Sequence, residues 1–333
     1  MRKAVFFSLV ILALAATAFT QSNPTTQPEQ EDRGVITSNL VTLNVIVTDN
    51  QGHYVKGLTR ANFEIYDNNV KRQIEHFSTD ASPVSIGIIL EVQEGATEKM
   101  SAVLTAIKEF TATLDKQDEF FFVGFSDHGS VTTEFIPAAV QLLDYLEYVK
   151  PGEPFSLYDS VYFTMNRLKQ SRNLKKALLV ISTGQDYRSQ HNFRQLRNSL
   201  RTLDAQIYAI GITNLLADQI TTYGRWFFED ITRQGGRRSF LLDSDTGIGR
   251  AVLEEMSRAS GGAAYFPQTE SEPELAGICT QIALELREQY TLGFYSDEID
   301  SNRLHKLRVR VVQAGVGSDF TLSYREGYQV SPD

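Results

Sequence analysis

Between residues 83 and 288 the chain alternates short apolar runs with amphipathic helical patterns. Four runs of strand length occur, at residues 84–90, 120–125, 177–181 and 206–212. They are almost continuously apolar, which indicates strands buried on both faces. Apolar residues recur at helical spacing between them, as from Met100 to Leu114. This alternation predicts an α/β domain with a mainly parallel sheet and helices on both faces.

Further helices are expected in this region of the chain. One helix carries apolar residues from Leu157 to Leu168, and another carries them from Phe193 to Leu203. The last helix is expected to run to about Glu288. At its start, Ser271 and Glu274 have the spacing of a capping box.

Both flanks of this region have the alternation of half-buried strands instead. Residues 34–80 contain an alternating run from Val41 to Val47, a strand at 63–66 and a third expected at 70–77. The same period returns after residue 288. Because a three-stranded piece is marginally stable alone, residues 34–80 and 289–330 are expected to pair into one β-sandwich around the α/β insert. Two separate β flaps are the alternative.

The first residues have the pattern of an export signal. Arg2 and Lys3 precede an apolar stretch, and Ala16-Thr17-Ala18 matches a cleavage site. Residues 1–18 are therefore expected to be a signal peptide, with 19–33 as a disordered linker. An uncleaved anchor helix is the alternative, but the apolar stretch is shorter than the roughly 20 residues that span a bilayer. The mature protein is expected in the periplasm or outside the cell, without an integral membrane segment.

Charge and composition exclude several classes of function. The net charge of −9 argues against nucleic acid as a partner, because phosphate binding needs a basic face. The only cysteine, Cys279, lies in a helical apolar pattern and is expected in the core. The five histidines have no ligand spacing that would indicate a zinc site. No cofactor is expected.

The α/β part resembles a von Willebrand factor type A domain, of the branch found in secreted bacterial proteins. The resemblance rests on the order and spacing of motifs at residues 83–90, 118–127, 157–161, 176–182, 207–211 and 260–262. Similar flanks occur at residues 47–63 and 289–294, so the resemblance covers roughly residues 40–328. It implies a domain that binds protein partners.

The resemblance also implies a metal-ion-dependent adhesion site at the strand ends, which holds Mg²⁺ or Mn²⁺ through an aspartate, two serines, a threonine and a second aspartate. The matching positions are Glu91, Gln93, Gly95, Phe155 and Thr183. All of them differ from the family pattern. Mg²⁺ requires near-octahedral oxygen ligands, and two of these residues have no side-chain oxygen. The resemblance therefore predicts a degenerate site and a partner bound without a bridging cation.

An irregular Mg²⁺ or Ca²⁺ site is the first alternative. Glu91, Glu94, Asp159 and Asp186 could stand near the same strand ends, and Ca²⁺ accepts irregular oxygen cages. The competing interpretation is that Asp159 and Asp186 cap helices or turns, and that the two glutamates are solvated.

A hydrolase using Ser126 is the second alternative. Residues 124–129 contain glycine, serine and histidine, but a nucleophile elbow needs glycine two residues after the serine and then a helix. Another extended run follows instead, so a turn between two strands is expected and the protein is predicted not to be an enzyme.

Two regions are candidate partner surfaces. The first comprises the strand-end loops at residues 91–95, 152–156 and 183–187. The second is an insertion at residues 214–246, whose aromatic and arginine side chains are typical of binding hot spots; packing of these aromatic residues onto their own domain is the alternative. The candidate binding residues are Glu91, Glu94, Ser156, Asp186, Arg225, Trp226 and Phe228.

Overall fold

A computed structural model describes most of the chain beyond its first 39 residues. The described ranges are 40–79, 82–91, 97–126, 129–136, 156–186, 188–200, 203–212, 245–297, 303–312, 320–325 and 327–329. The expected signal peptide, the linker and residues 214–244 of the insertion lie outside these ranges, and residues 245–246 belong to a helix. Within them, no helix has both the length and the apolar character that crossing a membrane requires.

The described strands and helices are numbered in chain order. The strands are β1 (Leu40–Thr48), β2 (Phe63–Asp67), β3 (Val70–Arg72), β4 (His76–Ser78), β5 (Val84–Glu91), β6 (Glu119–Ser126), β7 (Gly129–Thr132), β8 (Lys175–Ser182), β9 (Gln206–Gly211), β10 (Ala264–Tyr265), β11 (Tyr290–Tyr295), β12 (Leu304–Val311), β13 (Thr321–Ser323) and β14 (Gly327–Gln329). The helices are α1 (Thr97–Ala112), α2 (Leu157–Leu168), α3 (Phe193–Leu200), α4 (Asp245–Ser260) and α5 (Glu272–Arg287).

The α/β domain is built on a six-stranded sheet in the order β10-β9-β8-β5-β6-β7. All neighbouring pairs are parallel except β6 and β7. Side chains of α1 and α5 pack on one face of the sheet, and those of α2, α3 and α4 pack on the other. The predicted fold class is confirmed. Strand order reverses between β5 and β8, and this switch point is where open α/β sheets bind ligands.

The flanking segments pair across the ends of the chain, as predicted. β1 pairs with β11 in a sheet of order β13-β1-β11-β4, and β2 pairs with β12 in a sheet of order β14-β12-β2-β3. Apolar residues from both sheets form one core, which includes Leu43, Ile65 and Phe294. Each sheet therefore contains strands from before and after the α/β insert, and separate flaps do not describe this arrangement.

The third strand expected at residues 70–77 is wrong in one respect, because it divides into two. β3 forms a hairpin with β2, and β4 pairs with β11 in the other sheet. Ile74, between them, is buried in the core of the sandwich. Asn68 and Asn69 both have positive φ, which fits the tight turn that joins β2 to β3. Apolar residues in this segment are Val70, Ile74 and Phe77, and their irregular spacing does not by itself show that the chain passes from one sheet to the other.

The capping box expected at the start of α5 is also wrong. Ser271 is the N-cap residue, but its side chain makes no capping hydrogen bond. The Glu274 carboxylate accepts hydrogen bonds from the backbone N–H groups of Gln268 and Thr269 instead. Glu270 has a φ of +51°, and the chain reversal there brings these earlier N–H groups to the glutamate. In the same region Cys279 is fully buried, as predicted.

Candidate functional site

The switch point between β5 and β8 is occupied by hydrogen bonds within the chain. Glu91 is the last residue of β5, and it is only 4% exposed. Its Oε2 accepts hydrogen bonds from the Ser182 hydroxyl at 2.5 Å and from the Thr183 backbone N–H at 2.8 Å. The Thr183 hydroxyl lies 3.1 Å from each carboxylate oxygen. The side chain of Glu91 therefore ties the ends of the two central strands together.

This geometry corrects one expectation for Glu91. The residue is not solvated, because burial and hydrogen bonds hold its carboxylate against β8. Hydrogen bonds to an ionised acceptor contribute about 1.5–3 kcal/mol each, roughly twice the value for neutral pairs. Thr183, which matches the family's final aspartate, donates to Glu91 through both its backbone and its hydroxyl. Two positions of the expected metal site are thus joined directly to each other.

A second network fixes the start of α2 beside this crevice. Asp186 accepts hydrogen bonds from the Tyr158 backbone N–H at 3.0 Å and from the Ser189 hydroxyl at 2.6 Å. The Ser189 oxygen in turn accepts the Asp159 backbone N–H at 3.0 Å. Backbone N–H groups in the first turn of a helix have no partner within the helix. Asp186 and Ser189 supply those partners from the loop that follows β8.

Asp159, in the first turn of α2, accepts hydrogen bonds from the same loop after β8. Its carboxylate accepts the backbone N–H groups of Gln190 at 2.8 Å and His191 at 3.2 Å, and it contacts His191 Nδ1 at 2.6 Å. The two aspartates therefore hold a helix start and a turn, as the capping interpretation predicts.

The pKa values of the two aspartates move in opposite directions. Burial raises the pKa of Asp186, against the lowering effect of its hydrogen bonds. Burial also acts to raise the pKa of Asp159, but hydrogen bonds from Gln190 and His191 outweigh it and lower the pKa. Asp159 therefore keeps its charge at lower pH than a free aspartate, whereas Asp186 loses its charge at higher pH.

Ser156 lies at the N-cap position of α2, next to these networks. Its side chain is partly buried and makes no capping hydrogen bond. Its backbone carbonyl accepts the Ser160 N–H. Of the residues described around this crevice, Ser156 is therefore the one whose side chain contributes least to holding the fold together.

The remaining predicted site residues are not placed. Gln93, Glu94, Gly95, Phe155, Arg225, Trp226 and Phe228 lie outside the described ranges. Within those ranges, no group of three or more histidine, cysteine, aspartate or glutamate residues could hold a metal ion. At the switch point itself, both oxygens of Glu91 accept hydrogen bonds from Ser182 and Thr183.

Sequence reasoning missed two features of this crevice. Ser182 was not singled out, although its hydroxyl binds Glu91 and its oxygen accepts the Gly184 N–H. Gly184 has a φ of +78°, and a Cβ atom there would lie 2.2 Å from the Gly249 carbonyl oxygen of α4. Only glycine fits such a conformation and approach. The signal available in the sequence was a glycine two residues after an apolar strand.

Ser126 ends β6, and its surroundings are those of a hairpin. It pairs with Gly129 at the start of β7, which runs antiparallel to β6. A nucleophile elbow requires a strand, a sharp turn and a helix. The expected turn between two strands is confirmed, and the intervening residues 127–128 lie outside the described ranges.

No protein-family model matches the sequence, and no curated protein does either. Among solved structures, BatB from Bacteroides thetaiotaomicron is 13% identical, with a TM-score of 0.42 over 61% of this chain and 98% of that one. A von Willebrand factor type A protein from Catenulispora acidiphila is 10% identical, with a TM-score of 0.43 over 80% and 72%. The pilus adhesin SpaC from Lactobacillus rhamnosus GG is 9% identical, with a TM-score of 0.45 over 80% and 47%.

The α/β domain has a von Willebrand factor A-like fold, as the sequence resemblance predicts. The strand order and the helices on both faces carry this conclusion. The identities are near a tenth and the TM-scores are below 0.5, so these solved structures carry no argument about what this chain binds.

Proposed function

We propose that this chain is an exported, non-enzymatic protein that binds a protein partner without a bridging cation. The observation that supports the proposal best is that the Glu91 carboxylate is buried and hydrogen-bonded within the chain. A cation site at the switch point would need free carboxylate oxygens, and both oxygens of Glu91 already face donors from Ser182 and Thr183. A buried carboxylate that has such partners stabilises the fold and is a poor ligand for an incoming metal.

The partner surface is proposed to be the strand-end rim, defined as Ser156, Thr183 and Asp186, which are partly exposed. Glu91, a candidate binding residue from the sequence, is buried beneath this rim and is not part of the surface. Reciprocal hydrogen bonds between α2 and the loop at residues 186–191 hold this rim in one arrangement. A rigid surface loses little conformational entropy on binding, which favours association. The insertion at residues 214–246 is the second candidate surface, on the sequence argument alone.

The test is affinity capture from the envelope of the source organism, followed by binding measurements with the captured partner. Binding is expected to be equal with Mg²⁺ and with chelator. Ser156→Arg places a large charged side chain on the rim without removing a capping bond, and it is expected to weaken binding at least about tenfold. Gln51→Arg, at an exposed position in the turn after β1, is the matched control.

Three results would contradict parts of this proposal. Loss of binding in chelator would favour the irregular cation site. Unchanged binding of Ser156→Arg, with loss in a variant that carries Trp226→Ala and Phe228→Ala, would move the surface to the insertion. Ester hydrolysis that disappears in Ser126→Ala would show an enzyme.

Export can be tested independently of binding. Mass spectrometry of the protein recovered from cells is expected to show an N-terminus directly after Ala18. An N-terminus at Met1 in a membrane fraction would indicate the uncleaved anchor instead.

A further inference from the structure

A cleft lies where α4 and β10 of the α/β domain meet β13 of the sandwich. Its volume is about 380 Å³, within the range of small binding sites. The cleft is lined by Glu254, Ser257 and Arg258 of α4, by Gly262, Ala263 and Ala264, and by Leu322, Ser323 and Tyr324. At the other end of α4, Gly249 lies against Thr183 of the rim and against the neighbouring Gly184. The cleft is therefore separate from the proposed rim.

One wall of the cleft is a free sheet edge. β10 pairs with β9 on one side and is the last strand of its sheet among the described residues. The Ala263 carbonyl accepts the Ala209 N–H, so Ala263 faces β9. Successive residues of a strand direct their backbone groups to opposite sides. The N–H and C=O of Ala264 thus point away from β9, to the side of the cleft, where no described residue pairs with them.

The residues around this edge leave room for another backbone. Ala263 and Ala264 carry no side chain longer than a methyl group, and Gly262 before them packs against the Ile207 carbonyl of β9. Ser257 also lines the cleft, it is 1% exposed, and its hydroxyl oxygen has no partner among the described residues. Buried polar groups without partners cost free energy, which a bound amide would recover.

The length of the edge favours one kind of occupant. β10 has only two residues, so the backbone groups of Ala264 are the ones that its outer edge offers. A single extended segment is slender enough to enter, and it carries the alternating N–H and C=O groups that pair with a strand edge.

We infer that this cleft binds an extended peptide segment of a partner protein, which adds as a strand beside β10 and pairs with the backbone of Ala264. The site goes beyond the rim, and the two surfaces can be tested separately.

The probe is a phage-displayed library of random heptapeptides, selected on the folded full chain. Ala264→Pro removes the outward N–H and obstructs the edge, and it keeps the ladder to β9, since proline is tolerated where the N–H faces away from the sheet. Lys71→Pro is the matched control. Lys71 pairs with Tyr66 across the β2–β3 hairpin, and the alternation of that hairpin directs its backbone groups to the outer edge of the other sheet.

The library is first depleted of phage that bind the Ala264→Pro protein, and the remaining phage are then selected on wild type. Peptides are expected to be enriched in this second step. Synthetic versions should bind Ala264→Pro at least about tenfold more weakly than wild type and bind Lys71→Pro equally well. In the wild type, hydrogen exchange at the Ala264 amide should slow when peptide is added, a measurement that needs no variant.

Three outcomes would overturn the inference. The first is a depleted library that yields no binder. The second is a set of peptides that leave exchange at Ala264 unchanged. The third is a chain that dimerises in solution through an edge that Ala264→Pro abolishes, since the occupant would then be a second copy.

Discussion

Replacing Glu91 with alanine is the sharpest test of how the switch point is held. The change removes the acceptor of the Ser182 hydroxyl, the Thr183 N–H and the Thr183 hydroxyl. The hydroxyls can rotate to other partners, but the N–H is fixed by the backbone, and a buried donor without a partner costs about 1–3 kcal/mol. Loss of the one buried methylene group, Cγ, adds roughly 0.8 kcal/mol. Relief from burying a charge offsets part of this loss.

The expected result is a decrease of about 2 kcal/mol in the free energy of unfolding. Urea denaturation followed by circular dichroism measures it from the transition midpoint at constant slope. Glu75→Ala, at an exposed position, is the control and is expected within about 0.5 kcal/mol of wild type. Glu91→Gln keeps the shape and one acceptor, so its loss should be smaller than that of alanine. A decrease below about 1 kcal/mol for Glu91→Ala would refute the stabilising role of this network.

Three further predictions concern the cation, the cap of α2 and a buried lysine. Millimolar Mg²⁺, Mn²⁺ or Ca²⁺ is expected to leave the melting temperature at its value in chelator, and a rise specific to one cation would contradict the proposal. Asp186→Ala should lower stability by about 1–2 kcal/mol through loss of the Tyr158 cap, whereas Ser156→Ala should stay within about 0.5 kcal/mol; equal urea midpoints would rule out the capping role. Burial lowers the pKa of Lys175 to about 8. The unfolded chain keeps this proton to about pH 10, so wild-type stability should rise between about pH 8 and 10, and Lys175→Met should lack that rise in urea titrations.

The fold was largely predictable because its signals are local and repeated. The apolar runs that became β5, β6, β8 and β9 are fully buried strands, and period two marks β1 and β12. The pairing of the two ends followed from the marginal stability of short β segments. The chain's passage from one sheet to the other at Ile74 could not be predicted, because the irregular spacing of Val70, Ile74 and Phe77 fits one irregular strand or two short ones.

The candidate site was predictable in place and not in chemistry. Strand ends in the sequence located Glu91 and Thr183 at the switch point. Their mutual hydrogen bonds join residues 92 positions apart, and no local pattern encodes that distance. The same holds for Asp159 and His191, which meet only because α2 packs against the loop that follows β8.

The sequence by itself determined the order of strands and helices, the α/β insert within a β-sandwich, and the place of the strand-end crevice. It could do so because burial follows hydrophobic period, which is written along the chain. The tertiary structure alone decided that Glu91 is buried and bonded to β8, and that Ala264 presents an unpaired edge to a cleft. Both depend on which backbone and side-chain groups are brought together across long sequence separations, and hydrogen bonds form according to that proximity.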